Sequence, residues 1–370
     1  MKPDKLVHDY TYSFPAIRGI QAGREYYTTM CPLRLIPILF STNPSDLPPE
    51  IRAQRETNKS RILPIAKYIV DNPDDYVFSS ITASIDGEVS FQPYGEDQVG
   101  RKIGTLSVPM EATFLVNDGQ HRRAAIEEAL YENPELAHET ISVVFFVDTG
   151  LKRSQQMFAD LNRYAVRPTK SLGILYDHRD PLARLVNQMI KEIPIFNGMT
   201  ETAKSSISNR SRKLFTLSSL YQATKKFLGY KDNQEISEDE KKLSFNFWMA
   251  VTQNMPDWRD AADRKVAPSE LRRDYIHAHG IALQALAIAG NSLVKERPDT
   301  WKNDLEKIKK IDWMRANTKL WEGRALIGGS LNKSQKNVLL TANIIKKNLG
   351  LSLNPKEEAV EEVYVQSKLS

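Results

Sequence analysis

Residues 118–123, with the sequence DGQHRR, carry the polar side chains whose chemistry is easiest to assign from the sequence. They lie between a stretch typical of a strand and one typical of a helix, where main-chain N–H groups are unpaired and the helix dipole is positive. Such a junction binds phosphate and other anions. Gly119 permits backbone conformations that a Cβ disfavours, and Arg122 and Arg123 supply bidentate donors. We therefore predict a nucleotide-binding or anion-binding site at Gly119, Gln120, Arg122 and Arg123; the alternative is a helix start with two exposed arginines.

The same junction holds two groups that can transfer protons. Asp118 is a carboxylate that can polarise water or hold Mg²⁺, and the imidazole of His121 titrates near neutral pH. If the protein is an enzyme, Asp118 and His121 are its predicted catalytic residues. The reaction would be nucleotide hydrolysis or DNA nicking, with a nucleotide and Mg²⁺ as the cofactors.

A second polar segment follows the predicted helix 151–162. Asn162 and Arg163 begin a loop that also contains Arg167. If the sheet brings this loop beside residues 118–123, four arginines converge, and they repel one another unless an anion or carboxylates lie between them. We predict that Asn162 and Arg163 complete the anion site, and an internal salt-bridge network is the alternative.

The positive charge of the chain is concentrated in its second half. Residues 201–350 carry 27 Lys and Arg against 17 Asp and Glu, whereas residues 1–200 carry 22 against 25. A basic block of this kind indicates a polyanionic partner, with nucleic acid as the first candidate. Two of its segments, 205–213 and 324–336, combine cations with small polar residues that suit a phosphate backbone, although the second lacks the spacing of a P-loop. The predicted DNA contacts are Lys204, Arg210, Arg212, Lys213, Lys333 and Lys336; a mobile basic loop or a solvated basic surface is the alternative.

The elements that must position these residues follow from the apolar patterns. Before residue 172 the patterns alternate between strand and helix, which predicts an α+β mixed-sheet domain; beyond it, apolar spacings of 3 and 4 predict a mainly helical domain. The predicted domains are 1–171, the basic DNA-binding domain 172–350 and a flexible tail, 351–370. The first domain is predicted to begin with strands in 1–50 and helical segments in 51–69. Strands 77–85 and 89–91 follow, and the pair Asp86-Gly87 predicts a hairpin turn between them. A Gly/Pro-rich loop then leads to strand 113–116, helix 120–131, strand 140–148 and helix 151–162.

Several residue types define what the chain is not expected to do. Its single cysteine, Cys31, cannot form an internal disulfide and is expected to be buried. His277 and His279 are two residues apart and would diverge on a helix, so no metal site is predicted.

Residues 232–240 are expected to form an acidic surface loop, and the five tryptophans are expected to lie in the helical core. With no apolar window long enough to span a membrane, we expect a cytoplasmic protein without a membrane partner.

The sequence DGQHRRAAIEEAL resembles the signature of the DGQHR-domain family, and the wider chain resembles the DndB group of that family, which belongs to DNA sulfur modification (phosphorothioation). The residues that carry the resemblance are Gln54-Arg55, Arg61-Ile62, Tyr68, Asn72, the 118–123 motif and Phe158-Ala159-Asp160-Leu161-Asn162. The domain is in turn similar to the ParB/sulfiredoxin fold. The ParB box Gly-Glu-Arg-Arg falls on residues 119–122, where its Glu and first Arg are replaced, and a later Asn-Arg falls on Asn162 and Arg163. Gln120 stands at the sulfiredoxin cysteine, so sulfinic-acid reduction does not transfer.

The resemblance implies a DNA-binding regulator or accessory protein of a bacterial phosphorothioate modification system, one that represses its own modification operon. Double-stranded DNA, other phosphorothioation proteins and further copies of the chain are the partners it implies. The alternatives are a nucleotide hydrolase or nickase that uses the 118–123 motif, and a docking subunit of the modification complex.

Overall fold

The computed structural model describes residues 10–41, 59–151, 153–163, 168–231 and 234–369. The chain divides into two compact units, Met1–Val166 and Arg167–Ser370. The first contains a seven-stranded mixed sheet and the second is mostly helical, which confirms the predicted α+β fold class. None of the helices in these ranges is both long and apolar enough to cross a membrane.

The first unit is built on one sheet with helices packed on it. Its strands are β1 (Thr11–Gln21), β2 (Arg24–Pro32), β3 (Ile81–Asp86), β4 (Ser90–Pro93), β5 (Ile103–Pro109), β6 (Thr113–Asp118) and β7 (Thr140–Val147). Its α-helices are α1 (Ile36–Leu39), α2 (Lys59–Asp71), α3 (Gln120–Glu132) and α4 (Ser154–Arg163). The predicted helical residues 51–58 and the loop residues 164–167 lie outside the described part of the chain.

The strands are arranged in the order β4-β5-β1-β2-β7-β3-β6. Only β3 and β7 pair in parallel, and the other neighbours are antiparallel. Side chains on the helix-covered face, such as Phe14 and Phe145, are buried in the core together with Ile126 of α3. Cys31 on β2 is also fully buried, as predicted.

Two strand predictions for this unit are wrong. The turn at Asp86-Gly87 does not make a hairpin, because β3 pairs with β6 and β7 while β4 pairs with β5. The physical reason is burial: most of β3 is inaccessible to solvent and needs a strand on each side, whereas β4 is an exposed edge strand. The residues assigned to a Gly/Pro-rich loop include β5, in which every second residue from Gly104 to Val108 is buried.

The second unit packs its helices around a large apolar core. Its α-helices are α5 (Lys170–Tyr176), α6 (Pro181–Glu192), α7 (Leu217–Leu228), α8 (Glu238–Gln253), α9 (Pro256–Ala262), α10 (Pro268–Asp274), α11 (Gly280–Glu296), α12 (Trp301–Asp304), α13 (Thr318–Trp321), α14 (Gln335–Leu349) and α15 (Pro355–Leu369). Two strand pairs accompany them: β8 (Thr200–Glu201) with β9 (Phe215–Thr216), and β10 (Leu326–Ile327) with β11 (Ser330–Leu331). All five tryptophans lie in this core, as predicted.

Two segments of the second unit are more ordered than the sequence suggested. The acidic segment 232–240 includes the start of α8, where Ser237 and Glu240 form a capping box. Residues 355–369, assigned to a flexible tail, form α15, which packs on α14. Lys346 of α14 and Glu357 of α15 form an ion pair of 2.7 Å in which each side chain is only 3% exposed. This burial explains why the segment is helical despite its charged sequence.

Candidate nucleic-acid interface

Arg272 hydrogen-bonds several main-chain carbonyl groups of the first predicted DNA segment, 205–213. The parallel pair β8 and β9 brings the two ends of the surrounding loop together. The guanidinium group of Arg272 then donates hydrogen bonds to the carbonyl oxygens of Ser208 (2.9 Å), Ser211 (3.2 Å) and Lys213. Because neutral carbonyl groups accept these bonds, Arg272 organises the loop and keeps its positive charge.

The second predicted segment, 324–336, is organised in a similar way. Gly328 and Gly329 form the turn between β10 and β11 with φ values of 56° and 74°, a conformation that favours glycine. Arg315 donates to the carbonyl oxygen of Gly329 at 2.9 Å and to that of Arg273 at 3.1 Å. The turn is followed by Lys333.

These two segments meet at one pocket of about 720 Å³, which we call the basic pocket. Arg272, Arg273, Arg315 and Lys333 line it, and its remaining polar wall consists largely of hydroxyl groups. None of the described residues that line it is acidic. Carbonyl dipoles orient the cations without cancelling their charge, so the pocket is strongly positive.

Among the described residues, Arg273 is the one of the four cations with a carboxylate at ion-pair distance. That carboxylate, Asp274, has its pKa lowered by the hydrogen bond from Arg273 and also by the nearby charge of Arg315. Arg273 forms a bidentate pair with Asp274, with distances of 2.7 and 2.8 Å. Arg272 and Arg315 hydrogen-bond main-chain carbonyl groups, and Lys333 makes no ion pair with any residue that the structure describes. Burial lowers the pKa of Lys333 below its usual value, although the residue as a whole is exposed. The pocket therefore contains positive charge that an external anion can balance.

The start of α11 forms one wall of the basic pocket. His279 donates from Nε2 to the carbonyl oxygen of Arg272 at 2.7 Å. Burial, together with the nearby cations Arg315 and Lys333, lowers the pKa of His279 to about 4, so the ring is neutral at pH 7. A Cβ at Gly280 would lie 2.7 Å from Oγ of Ser219 and 3.5 Å from Nζ of Lys333. Glycine at this position therefore keeps the first turn of α11 open to the pocket.

A second pocket of about 590 Å³ lies beside the first, and Ser269 lines both. We call it the arginine pocket, because Arg210, Arg212 and Arg264 line it together with apolar residues such as Val266. Arg264 has a φ of 63°, the left-handed conformation that usually requires glycine. It follows α9, where Arg264 N–H donates to the carbonyl oxygen of Ala261 and the next N–H donates to that of Asp260. This is the Schellman arrangement, with arginine at the glycine position.

The predicted DNA contacts are distributed over this surface. Lys333 lines the basic pocket, whereas Arg210 and Arg212 line the arginine pocket. Lys204 and Lys336 are exposed but line neither pocket, and Lys213 donates to the carbonyl oxygen of Gly198 at 2.7 Å. The sequence analysis missed four arginines that the fold brings to these pockets: Arg264, Arg272, Arg273 and Arg315. The adjacent pair Arg272-Arg273 is the one signal in the sequence that could have indicated them. Arg264 and Arg315 come near this pair only through the fold.

The 118–123 motif has a different charge balance. Arg122 donates to Asp118 at 2.6 Å, to Oγ of Ser79 at 2.7 Å and to the carbonyl oxygen of Ser80 at 3.1 Å. Gly119 has a φ of 104°, and a Cβ there would lie 3.1 Å from Arg122. The motif therefore forms a tight strand-to-helix turn that is closed by an ion pair within the chain.

The remaining residues of the predicted anion site are also engaged locally. Arg123 pairs with Glu127 at 2.8 Å, and the Gln120 amide donates to main-chain carbonyl groups of β6. Asn162 donates to the carbonyl oxygen of Phe158 at 2.8 Å, and Arg163 is exposed at the end of α4. Burial, and then the charge of Arg61, lower the pKa of His121 below its usual value. Arg167 lies outside the described residues, so the predicted convergence of four arginines stays a prediction.

The fold and these surfaces define the class: an α+β protein in which a mixed-sheet unit with a DGQHR turn precedes a basic helical unit. The family model of DndB, described as DNA-sulfur modification-associated, matches residues 14–352. The chain therefore belongs to the DndB family, which confirms the resemblance seen in the sequence and associates the protein with DNA sulfur modification. No curated protein and no solved structure matches the chain.

Proposed function

We propose that this protein binds double-stranded DNA through its helical unit and acts as a regulator or accessory protein of a DNA sulfur modification system. One observation carries the proposal. Segments 205–213 and 324–336, which are far apart in the sequence, meet at a pocket lined by three arginines and a lysine, with no acidic residue among its described lining.

The balance of charge favours the helical unit over the 118–123 motif as the DNA-binding surface. Arg122 and Arg123 each face a carboxylate of their own chain. Arg210 and Arg212 line the arginine pocket and form no ion pair with a residue that the structure describes. Cations without nearby carboxylates bind phosphates most strongly, because no internal partner has to be displaced.

The regulatory role rests on the family association. Phosphate contacts fix the position of a protein on DNA but carry no sequence information, so a repressor of its own operon also needs contacts to base edges or a preference for DNA shape. We propose that the exposed loop 205–213 and the β10–β11 turn provide these contacts. Other proteins of the modification system and further copies of the chain are proposed as additional partners.

The test is a salt titration of DNA binding by the full chain, measured by fluorescence anisotropy. Replacing Arg210 and Arg212 by Ala should reduce the slope of log K against log salt by roughly one unit for each lost phosphate contact. The matched control replaces Lys309 and Lys310, two exposed lysines of the same unit that line neither pocket. An R210A/R212A slope equal to that of the wild type would exclude this surface from the interface.

A second comparison tests the regulatory role. The wild-type chain is titrated with promoter DNA of its own modification genes and with scrambled DNA of equal length at one salt concentration. Tighter binding of the promoter by about tenfold or more is expected for a repressor. Equal affinity for both DNAs would contradict repression and leave only the accessory role.

A further inference from the structure

We propose that the basic pocket is a site for a phosphate monoester dianion, the group found at the phosphorylated end of a DNA strand, in preference to the phosphodiester of an unbroken strand. This inference rests on the proposed function for its choice of DNA as the source of the phosphate, with the loop 205–213 and the arginine pocket as the proposed contacts of the unbroken duplex. The preference for a monoester over a diester is argued from the charge, the donor groups and the shape of the pocket.

The charge of the pocket matches a dianion. Arg272, Arg315 and Lys333 all line it, and among the described residues none of the three has a carboxylate at ion-pair distance. A phosphodiester carries one negative charge, whereas a terminal phosphate carries about 1.5 to 2 at pH 7. Because Coulomb attraction scales with the charge of the ligand, the monoester gains about twice as much from the same cations.

The donors of the pocket also match a group with three free oxygens. Arg272 and Arg315 approach from separate segments, and Nζ of Lys333 lies 3.5 Å from where a Cβ of Gly280 would be. Ser205, Ser206 and Ser269 add hydroxyl groups around the wall. Donors on several sides suit a tetrahedral group that presents three terminal oxygens, since an internal phosphodiester offers only two.

The shape of the pocket separates a strand end from an unbroken strand. A phosphodiester in a duplex is flanked by a nucleotide on each side, and both must follow it across the protein surface. A terminal phosphate has one neighbour and can enter a concave site. The volume of about 720 Å³ is sufficient for a phosphate with its attached sugar.

The neutral state of His279 is consistent with the same ligand. Burial lowers the pKa of His279 to about 4, so the ring is neutral at pH 7 and adds no positive charge to the pocket. Its Nε2–H donates to the Arg272 carbonyl oxygen at 2.7 Å. A bound dianion would raise the pKa of His279, because it offsets the charges of Arg315 and Lys333 that lower that pKa.

The first experiment separates monoester from diester without DNA. Methyl phosphate and dimethyl phosphate are titrated into the full chain by isothermal calorimetry at pH 7.5. We expect methyl phosphate to bind at least fivefold more tightly, and K333Q and R315Q each to remove this preference. Two variants are used because Arg315 also holds Gly329, whereas Lys333 bonds no described residue. Equal binding of both ligands, or a preference that survives in K333Q, would overturn the proposal.

The second experiment identifies the source of the phosphate. The DNA is a dumbbell closed by loops at both ends, either intact or carrying a single nick with a 5′-phosphate or a 5′-hydroxyl group. We expect the phosphorylated nick to bind at least fivefold more tightly than the hydroxyl nick, a ratio that K333Q abolishes and K309A/K310A retains. A ratio near one, together with tight methyl phosphate binding, would assign the site to a free phosphorylated small molecule and overturn the strand-end source. If no dumbbell binds, the proposed DNA function fails, while the calorimetry still decides the chemistry of the pocket.

Discussion

The guanidinium group of Arg272 donates a hydrogen bond of 2.9 Å to the carbonyl oxygen of Ser208, 64 residues earlier in the chain. This bond couples the end of α10 to the loop 205–213. Since the acceptor is neutral, the same guanidinium both shapes the loop and contributes charge to the basic pocket. The DNA-binding surface proposed for this protein therefore depends on tertiary structure rather than on a continuous basic segment.

Replacing Arg264 by Gly should stabilise the protein but weaken its binding to DNA. Replacing Arg264 by Gly removes the left-handed strain at φ 63° and should raise the free energy of unfolding by about 0.5–1 kcal/mol. It also removes a cation from the arginine pocket and should weaken DNA binding. Arg264→Ala is the matched control, because it removes the charge and keeps the strain. Chemical denaturation and anisotropy on both variants check this, and full DNA affinity in R264G would contradict the assigned role.

The pKa of His279 predicts a pH dependence of stability. Because its folded-state pKa is about 4 and its unfolded value about 6.5, the unfolded chain binds the proton more readily. The stabilisation is present above pH 6.5 and is lost as the pH falls toward 4, by about 3 kcal/mol at most. Urea denaturation at several pH values should show a smaller dependence in His279→Gln than in the wild type. Identical pH profiles for the two proteins would mean that His279 does not cause this effect.

Loss of the Asp118–Arg122 ion pair should lower the stability of the protein but leave its affinity for DNA nearly unchanged. Asp118→Asn removes the carboxylate that accepts from Arg122 and should destabilise the protein by about 1 kcal/mol, since the pair is partly exposed. DNA affinity should change by less than about tenfold, because no phosphate-binding cation is lost. Glu127→Gln serves as the control, because it removes the carboxylate that pairs with Arg123, and Glu127 is more exposed than Asp118.

Any nucleotide hydrolysis or nicking, if detected, should disappear in D118N and in His121→Ala.

The C-terminal helix α15 should be essential for the stability of the helical unit. Glu357→Gln leaves the buried ammonium of Lys346 without its counter-ion and should lower the free energy of unfolding by about 3 kcal/mol. The neighbouring exposed residue provides the control, since Glu358→Gln should change stability by less than about 0.5 kcal/mol. Thermal and chemical denaturation check both values. Equal stability of the two variants would show that this ion pair does not anchor α15.

Local patterns in the sequence predicted most of the helices and strands, but missed β5 and α15 and did not show how the strands pair. The apolar spacing around Trp248 and Trp258 predicted a helical core correctly, because burial of one helix face is encoded locally. The turn signal at Asp86-Gly87 failed, because it does not specify which strand β3 will pair with. Charged side chains at the C-terminus suggested a tail, since the partner that buries Glu357 belongs to another helix.

The same distinction applies to the candidate site. Lys333 was predicted from its own segment, where glycine, serine and lysine cluster. Arg272 and Arg315 were missed, because they come to one pocket only when the fold brings α10, the residues before α13 and the β10–β11 turn together. A charge count places most of the basic residues in the second half of the chain, but only the fold shows which of these cations have no carboxylate at ion-pair distance among the described residues.

Hydrogen–deuterium exchange of the full chain, measured by mass spectrometry with and without DNA, tests the central claim most directly. If the helical unit binds DNA as proposed, exchange should slow in the peptides that cover 205–216, 268–280 and 326–336, which carry the walls of the basic pocket. Peptides that cover 118–132 should be unaffected. Protection confined to residues 118–132, with unchanged exchange in the helical unit, would contradict the account.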